Sequence, residues 1–90
     1  MTRSARMRIC NRLGMHARAA TVFVQLASRF ECELRVRKDD IEVNGKSIMG
    51  VLQLAAAQGT EIEVEARGQD AELALRALAQ LVADRFGEDE

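Results

Sequence analysis

A single histidine, His16, lies two residues after a glycine and two residues before an arginine, where a loop gives way to an apolar segment. Free backbone N–H groups in the first turn of a helix attract anions such as phosphate. Gly14 permits an unusual backbone turn before the histidine, and Arg18 can reach an anion held at the helix start. A neutral imidazole also offers an unprotonated ring nitrogen as a nucleophile. Residues 14–20 therefore combine a nucleophile with an anion-binding helix terminus.

The rest of the sequence narrows the chemistry that His16 could perform. It contains no second histidine, no Ser–His–Asp set, no metal-ligand spacing and no nucleotide-binding glycine loop. A nucleophile that lacks machinery for activating a substrate is typical of a group carrier served by partner enzymes. On the residues alone, the alternative is a capping or surface histidine with no chemical task.

Ser47 is the second candidate site. It follows an Asn-Gly turn signal and is a natural N-cap for a short helix, which is its plain structural interpretation. A phosphate on Ser47 would lie at the helix N-terminus without unfolding the helix, and it would add negative charge there. Outward-facing members of the apolar residues that follow would form a patch suited to docking a protein. These apolar residues are Ile48, Met49 and Leu52.

The elements that must position these sites follow from the spacing of apolar residues. Alternation predicts four half-buried strands, over residues 6–10, 32–37, 41–43 and 60–66. Spacings of three and four predict helices over residues 17–30 and 48–57, and a long helix that starts at Asp70 and stops at Gly87. Every strand carries charge on one face, which indicates a sheet with one face in water. The predicted fold is α+β, a two-layer open-faced β-sandwich in βαββαβα order, with a four-stranded antiparallel sheet covered on one face by three helices.

Length and composition are those of a small globular protein. The 90 residues, 48% of them hydrophobic, predict one domain over residues 1–90 with a modest core, and residues 88–90 are expected to form a frayed acidic tail. A net charge of −1 and the absence of Trp and Tyr argue against a nucleic-acid partner. No apolar run is long enough to span a membrane. We expect a cytoplasmic protein with two reduced thiols, Cys10 and Cys32.

Both candidate sites resemble motifs of the histidine-containing phosphocarrier protein (HPr) family of the bacterial phosphoenolpyruvate-dependent phosphotransferase system. The segment Asn11-Arg-Leu-Gly-Met-His16-Ala-Arg18 resembles the active-site motif of the family. The segment Asn44-Gly-Lys-Ser47-Ile-Met-Gly50 resembles its regulatory-serine segment. The resemblance extends from the first strand to Phe86 and implies an open-faced β-sandwich. The sequence departs from the family at Ala19, where a proline usually follows the arginine.

The resemblance implies a role for each matching residue. His16 would accept a phosphoryl group on Nδ1 from phosphorylated enzyme I and pass it to a IIA component, while Arg18 would position and neutralise the phosphate. Ser47 would be phosphorylated by the ATP-dependent HPr kinase/phosphorylase, which weakens transfer through the histidine. The protein would be a monomeric group carrier that is not a stand-alone catalyst and needs no cofactor or metal. Its docking surface would be lined by Ile48, Met49 and Leu52, together with outward-facing residues of the first helix such as Thr21 and Val24.

Two other hypotheses belong to different functional classes. The first is a mainly regulatory HPr paralogue, acting in carbon or nitrogen control through protein contacts with little sugar-transport flux. The presence of both His16 and Arg18 weighs against it. The second is a small RNA-binding or effector-binding module. An RNA-binding module would require aromatic residues on its exposed strand face and a basic surface, whereas the exposed strand positions here are Arg and Glu, with no Tyr or Trp.

Overall fold

Four antiparallel strands form one sheet in the computed structural model, which describes residues 1–90. The strands are β1 (Thr2–Arg8), β2 (Glu33–Lys38), β3 (Ile41–Asn44) and β4 (Glu61–Arg67), in the spatial order β1-β4-β2-β3. Three helices pack together on the inner face, followed by a short 3₁₀ turn, Arg85–Gly87. The helices are α1 (Ala17–Ala27), α2 (Ile48–Gln53) and α3 (Ala71–Ala83). The predicted open-faced β-sandwich in βαββαβα order is confirmed.

The outer face of the sheet is polar, as the alternation predicts. Arg37 of β2 donates to Glu42 at 2.7 Å and to Glu63 at 2.9 Å, and it also contacts Glu65. These partners lie on the strands on either side of β2, which pairs with β3 and with β4. Cross-strand pairs of opposite charge support the register of a sheet whose face is in water. No helix covers this face, so the helices and the sites that they carry all lie on the other side.

Helix α1 is the central helix of the inner layer, because it packs against both α2 and α3. Being covered on two sides, it buries a wide stripe that includes Phe23 and Ala27. Val24 belongs to this stripe and is only 7% exposed, so the expectation that it faces outward is wrong. Thr21 is half-buried, and its hydroxyl donates to the carbonyl oxygen of Ala17 at 2.8 Å.

The first two helices end earlier than the sequence pattern indicates. Helix α1 ends at Ala27 rather than at residue 30, and α2 ends at Gln53 rather than at residue 57. Ala55 has a φ of 49°, a left-handed conformation that an α-helix cannot continue through. Strand β1 begins earlier than the sequence pattern indicates. It starts at Thr2 rather than at residue 6, and it pairs with β4 from Thr2 to Arg8.

Helix α3 also ends before the predicted stop at Gly87. Its last residue is Ala83, and Arg85 and Phe86 follow with φ values of 58° and 55°. These two left-handed residues reverse the chain direction. Phe86 lies outside the helix yet remains buried in the core. The reversal sends residues 88–90 back across the molecule.

The two cysteines are free and lie in different environments. Cys10 is exposed, and its thiol faces the carbonyl oxygen of Val82 at 3.3 Å. Burial, with Asp70 nearby, raises the pKa of the Cys32 thiol above its ordinary value. None of the three helices has the length and apolar character needed to cross a membrane.

Candidate functional site

His16 is the N-cap residue of α1, as the sequence predicts. Its backbone is extended, with φ −76° and ψ 179°, and its carbonyl oxygen accepts the first hydrogen bond of the helix from Ala20 N–H at 2.8 Å. The N–H groups of residues 17–19 therefore have no acceptor within the helix. The imidazole makes no capping hydrogen bond to them and is half-buried. The helix terminus thus keeps its capacity to bind an anion beside the ring.

Gly14 holds the loop before His16 against the segment that follows α2. Its φ of 69° lies in the left-handed region, which confirms the predicted turn. Met15 N–H donates to the carbonyl oxygen of Ala56 at 2.8 Å, and the Met15 side chain is buried. A Cβ atom on Gly14 would lie 2.6 Å from that same oxygen. Only glycine fits this place, and the fit fixes where the chain enters α1.

A shallow cleft of about 330 Å³ surrounds the imidazole. Arg12 and Arg18 both line it, but Arg12 already pairs with Glu90, with its Nε 2.8 Å from Oε1. Arg18 is exposed and forms no salt bridge, so its guanidinium is the one in the cleft without an acidic partner. The cleft is lined by Arg12, Leu13, His16, Arg18, Glu88, Asp89 and Glu90.

Residues 88–90 lie against this cleft, so the expectation of a frayed tail is wrong. Nε2 of His16 lies 2.5 Å from Oε2 of Glu88. The other carboxylate oxygen of Glu88 accepts a hydrogen bond from Nδ2 of Asn11 at 2.9 Å. The Glu88 side chain is only 13% exposed. The reversal after α3 brings it here from a position 72 residues away in sequence.

The electrostatics of Glu88 reflect these two neighbours. The Asn11 hydrogen bond, together with the hydrogen bond to His16, holds the pKa of the Glu88 carboxyl below its ordinary value, although burial opposes this. Arg18 adds a smaller attraction in the same direction. Glu88 is therefore a carboxylate at neutral pH. The cleft combines this fixed negative charge with the unpaired cation of Arg18.

Ser47 occupies the N-cap of α2, as predicted. Its Oγ accepts a hydrogen bond from Gly50 N–H at 3.0 Å, and its side chain is half-buried. Two of the apolar residues after it are exposed, Ile48 by 39% and Met49 by 71%, whereas Leu52 is half-buried against the core. Helix α2, which carries these residues, packs on α1, the helix that begins at His16.

Three residues near the ring were not singled out from the sequence. Asn11 is completely buried and bonds both Gly14 O and Glu88, and Leu13 is a large apolar side chain exposed beside the cleft. Asn11 and Leu13 both lie inside the segment that resembles the active-site motif of the family. Their place in that segment was the sequence signal that could have identified them. Glu88 had no such signal. No three His, Cys, Asp or Glu side chains cluster in a way that could hold a metal ion.

An open cleft with one free ring nitrogen, free helix N–H groups and an unpaired guanidinium is suited to carrying a small anionic group. The family described as "PTS HPr component phosphorylation site" matches residues 3–84. The chain therefore belongs to the HPr family of phosphocarrier proteins of the phosphotransferase system, which confirms the resemblance. Proteins of this family are phosphocarriers and not stand-alone catalysts.

Individual proteins of the family are similar over almost the whole chain. A protein of Neisseria meningitidis serogroup A, described as "Phosphocarrier protein HPr", is 55% identical over 82 residues, which are 91% of this chain and 92% of that protein. The crystal structure of HPr-C-His from Thermoanaerobacter tengcongensis has a TM-score of 0.93 at 42% identity and covers 98% of this chain and 99% of its own. An HPr dimer from the same organism has a TM-score of 0.78 at 45% identity, covering 91% of this chain and 94% of its own.

Proposed function

We propose that this protein takes a phosphoryl group onto Nδ1 of His16 from phosphorylated enzyme I and passes it to a IIA component in the cytoplasm. One observation carries the proposal: Nδ1 makes no hydrogen bond in a cleft formed by the start of α1 and the unpaired guanidinium of Arg18. Membership of the HPr family supports both the chemistry and the two kinds of partner.

The transfer requires only an in-line displacement at phosphorus. The lone pair of His16 Nδ1 attacks the phosphorus, the new N–P bond forms, and the bond to the donor atom breaks with its electron pair leaving on the donor. Phosphoryl transfer depends mainly on positioning and on neutralising the equatorial oxygens. The free N–H groups of residues 17–19 and the Arg18 guanidinium supply that neutralisation. Transfer to a IIA component is the same displacement in reverse.

The docking surface that we propose for these partners lies beside the cleft. It comprises the exposed apolar pair Ile48 and Met49, together with Leu13, which is exposed at the cleft. Thr21 and Leu52 contribute at its edge, while Val24 is too deeply buried to contribute much area. A carrier must release each partner, so we propose a small transient interface and a monomer in solution.

We further propose that HPr kinase/phosphorylase phosphorylates Ser47 to regulate this docking. The hydroxyl lies at the start of α2, directly before Ile48 and Met49. A phosphoserine adds a charge of about −1.5 to −2 beside this apolar surface. Partners that bury the surface must then desolvate that charge, so transfer through His16 slows. A mainly regulatory protein is the second candidate function, and the half-exposed Ser47 beside the apolar pair is the observation that favours it.

Phosphorylation by enzyme I tests the carrier role. We would incubate the full chain with phosphoenolpyruvate and enzyme I, using the Neisseria meningitidis relative as the positive control. We expect one acid-labile phosphoryl group per chain, seen by mass spectrometry, and none on His16→Ala. Arg18→Ala should slow the reaction by roughly 10- to 100-fold, because a charge-assisted contact to the phosphoryl oxygens is lost. An unmodified wild-type chain beside a phosphorylated control would contradict the proposal.

A separate incubation with ATP and the kinase tests the regulatory serine. We expect an acid-stable adduct on the wild-type chain and none on Ser47→Ala. The modified protein should then be a slower acceptor in the enzyme I assay. A chain that is modified on Ser47 but never on His16 would support the mainly regulatory role instead.

A further inference from the structure

We propose that Glu88 is a positioning residue for His16, which holds the imidazole with its proton on Nε2 and leaves Nδ1 as the single nucleophilic nitrogen. The inference deepens the proposed carrier function and rests on it. It gives the last residues of the domain a task in the chemistry. Its starting point is the contact between Nε2 of His16 and Oε2 of Glu88, at 2.5 Å.

The chemistry of the two groups decides where the ring proton lies. An ionised carboxylate has no proton to donate and can only accept a hydrogen bond. Nε2 of His16 must therefore be the donor, and in a neutral imidazole Nδ1 then carries the free lone pair. Without a carboxylate partner, the proton of a neutral imidazole is shared between the two nitrogens. Glu88 thereby selects the tautomer that phosphoryl transfer through Nδ1 needs.

Glu88 can act in this way because its own carboxylate is fixed. Oε1 accepts a hydrogen bond from Nδ2 of Asn11 at 2.9 Å. Nδ2 of the completely buried Asn11 also donates to the carbonyl oxygen of Gly14 at 2.8 Å. The left-handed turn at Gly14 and the ring of His16 are thus joined through two intervening side chains. A chain of this kind leaves the carboxylate little freedom to rotate away from the ring.

The backbone around Glu88 is held on both sides. Before it, Arg85 and Phe86 form a left-handed turn, with φ values of 58° and 55°. The buried Phe86 side chain anchors that turn in the core. After it, Arg12 N–H donates to the carbonyl oxygen of Glu90 at 2.5 Å, and the two side chains pair. Glu88 lies between these two attachments.

The same contact suits the phosphorylated ring. When Nδ1 forms its bond to phosphorus, the Nε2 proton stays in place, so the ring becomes a cation and no proton has to leave the site. Glu88 then faces this cation directly. The two arginines of the cleft are Arg12, which is paired with Glu90, and Arg18, which remains for the phosphoryl oxygens. The carboxylate and the guanidinium therefore serve opposite ends of the same adduct.

Nitrogen-15 NMR of the imidazole tests the inference, and because His16 is the only histidine, a histidine label gives one ring. Glu88→Ala is compared with Asp40→Ala, which removes an exposed carboxylate of the β2–β3 turn that lies outside the cleft. At a pH at which the imidazole is neutral, we expect Nδ1 to be unprotonated in the wild type and in Asp40→Ala, and both tautomers to be populated in Glu88→Ala. Transfer from enzyme I should fall about tenfold in Glu88→Ala only.

The two readouts together decide the outcome. A changed tautomer with an unchanged rate, or a lower rate with an unchanged tautomer, overturns the inference, because the second result would assign Glu88 to docking. Equal behaviour of Glu88→Ala and Asp40→Ala overturns it as well. The tautomer is measured without any partner protein. A fixed tautomer in a wild-type chain that enzyme I fails to phosphorylate would contradict the proposed function and leave the His16–Glu88 contact intact.

Discussion

Gly14 faces the carbonyl oxygen of Ala56 so closely that a Cβ atom would lie 2.6 Å from that oxygen. The contact joins two segments that the sequence separates by more than forty residues, and it lies immediately before the ring of His16. The oxygen belongs to the backbone, and a Cβ atom would be bonded directly to the backbone. Neither could therefore move aside as the end of a flexible side chain would. The position of the loop before His16 therefore depends on the absence of a single carbon atom.

Gly14→Ala should destabilise the protein by about 2–4 kcal/mol, from the left-handed backbone and the contact with Ala56 together. Gly59→Ala is the matched control, because Gly59 also has a positive φ, 89°, but no atom lies near its added Cβ. We expect about 1–2 kcal/mol there, from the backbone conformation alone. Urea unfolding measures both. An equal decrease in the free energy of unfolding of both variants would show that the contact with Ala56 does not contribute to the effect of Gly14→Ala.

Ala19→Pro should be tolerated and should stabilise the protein by about 0.4–1 kcal/mol, by restricting the unfolded chain. The first hydrogen bond of α1 comes from Ala20 N–H, so the N–H of residue 19 has no acceptor within the helix to lose. Thermal unfolding checks the change, and Phe23→Pro is the contrasting variant, since it removes a bond in the helix interior. A destabilised Ala19→Pro would show that its buried site is too crowded for the proline ring.

Ser47→Ala should cost about 1 kcal/mol, because Gly50 N–H loses its acceptor at the start of α2. Ser47→Asn is the control that keeps a capping oxygen, and we expect it to unfold near the wild-type urea midpoint. Phosphoryl transfer through His16 should be similar in both variants, since neither adds charge. Loss of transfer in Ser47→Ala at full stability would instead place the hydroxyl in partner contact.

Asp70 ties the start of α3 to the loop before β2. Its carboxylate accepts hydrogen bonds from the N–H groups of Glu31 at 2.8 Å and Cys32 at 2.9 Å. The hydrogen bond from Glu31, with that from Cys32, lowers the pKa of the Asp70 carboxyl, although burial opposes this. The folded state therefore binds the proton less readily than the unfolded state. The stabilisation is complete above the unfolded value, near pH 4, and is lost as the pH falls through the lower folded value.

Asp70→Asn should accordingly be less stable than the wild type at neutral pH, and the gap should narrow below about pH 4. Urea unfolding at pH 7 and at pH 3 measures the gap. Asp40→Asn, in the exposed β2–β3 turn with no side-chain hydrogen bond, should show no such gap at either pH. A difference between wild type and Asp70→Asn that stays constant with pH would exclude ionisation as its source.

The element order and the candidate residues His16, Arg18 and Ser47 could be predicted because their signals are local. Alternation at Ile62, Val64 and Ala66 reports a strand without knowledge of its neighbours, and an Asn-Gly pair before Ser47 marks a turn and a cap. The start of β1 lacked such a signal, since residues 2–5 show no apolar alternation. Their strand conformation comes from pairing with β4, as in the register of Thr2 with Arg67.

The features that could not be predicted from the sequence depend on contacts between distant parts of the chain. Whether Val24 faces outward depends on α1 being covered by two other helices, which no spacing within α1 reveals. The contact of Glu88 with His16 requires two left-handed residues without glycine, Arg85 and Phe86. The glycine at position 87 predicted that the helix ends there, whereas the chain reverses its direction earlier, at Arg85 and Phe86. An acidic terminal segment therefore looked unstructured while it formed part of the site.

The cleft around His16 is shallow and open to solvent, so it does not shield a bound phosphoryl group from hydrolysis. In the proposed role, a phosphoryl group on Nδ1 stays within reach of water from the moment the donor departs. The carrier can conserve the energy of the N–P bond only if it meets an acceptor sooner than water cleaves that bond. Encounter rates scale with concentration, and tight binding would delay release. A protein built in this way is best served by abundance in the cell rather than by affinity for any one partner.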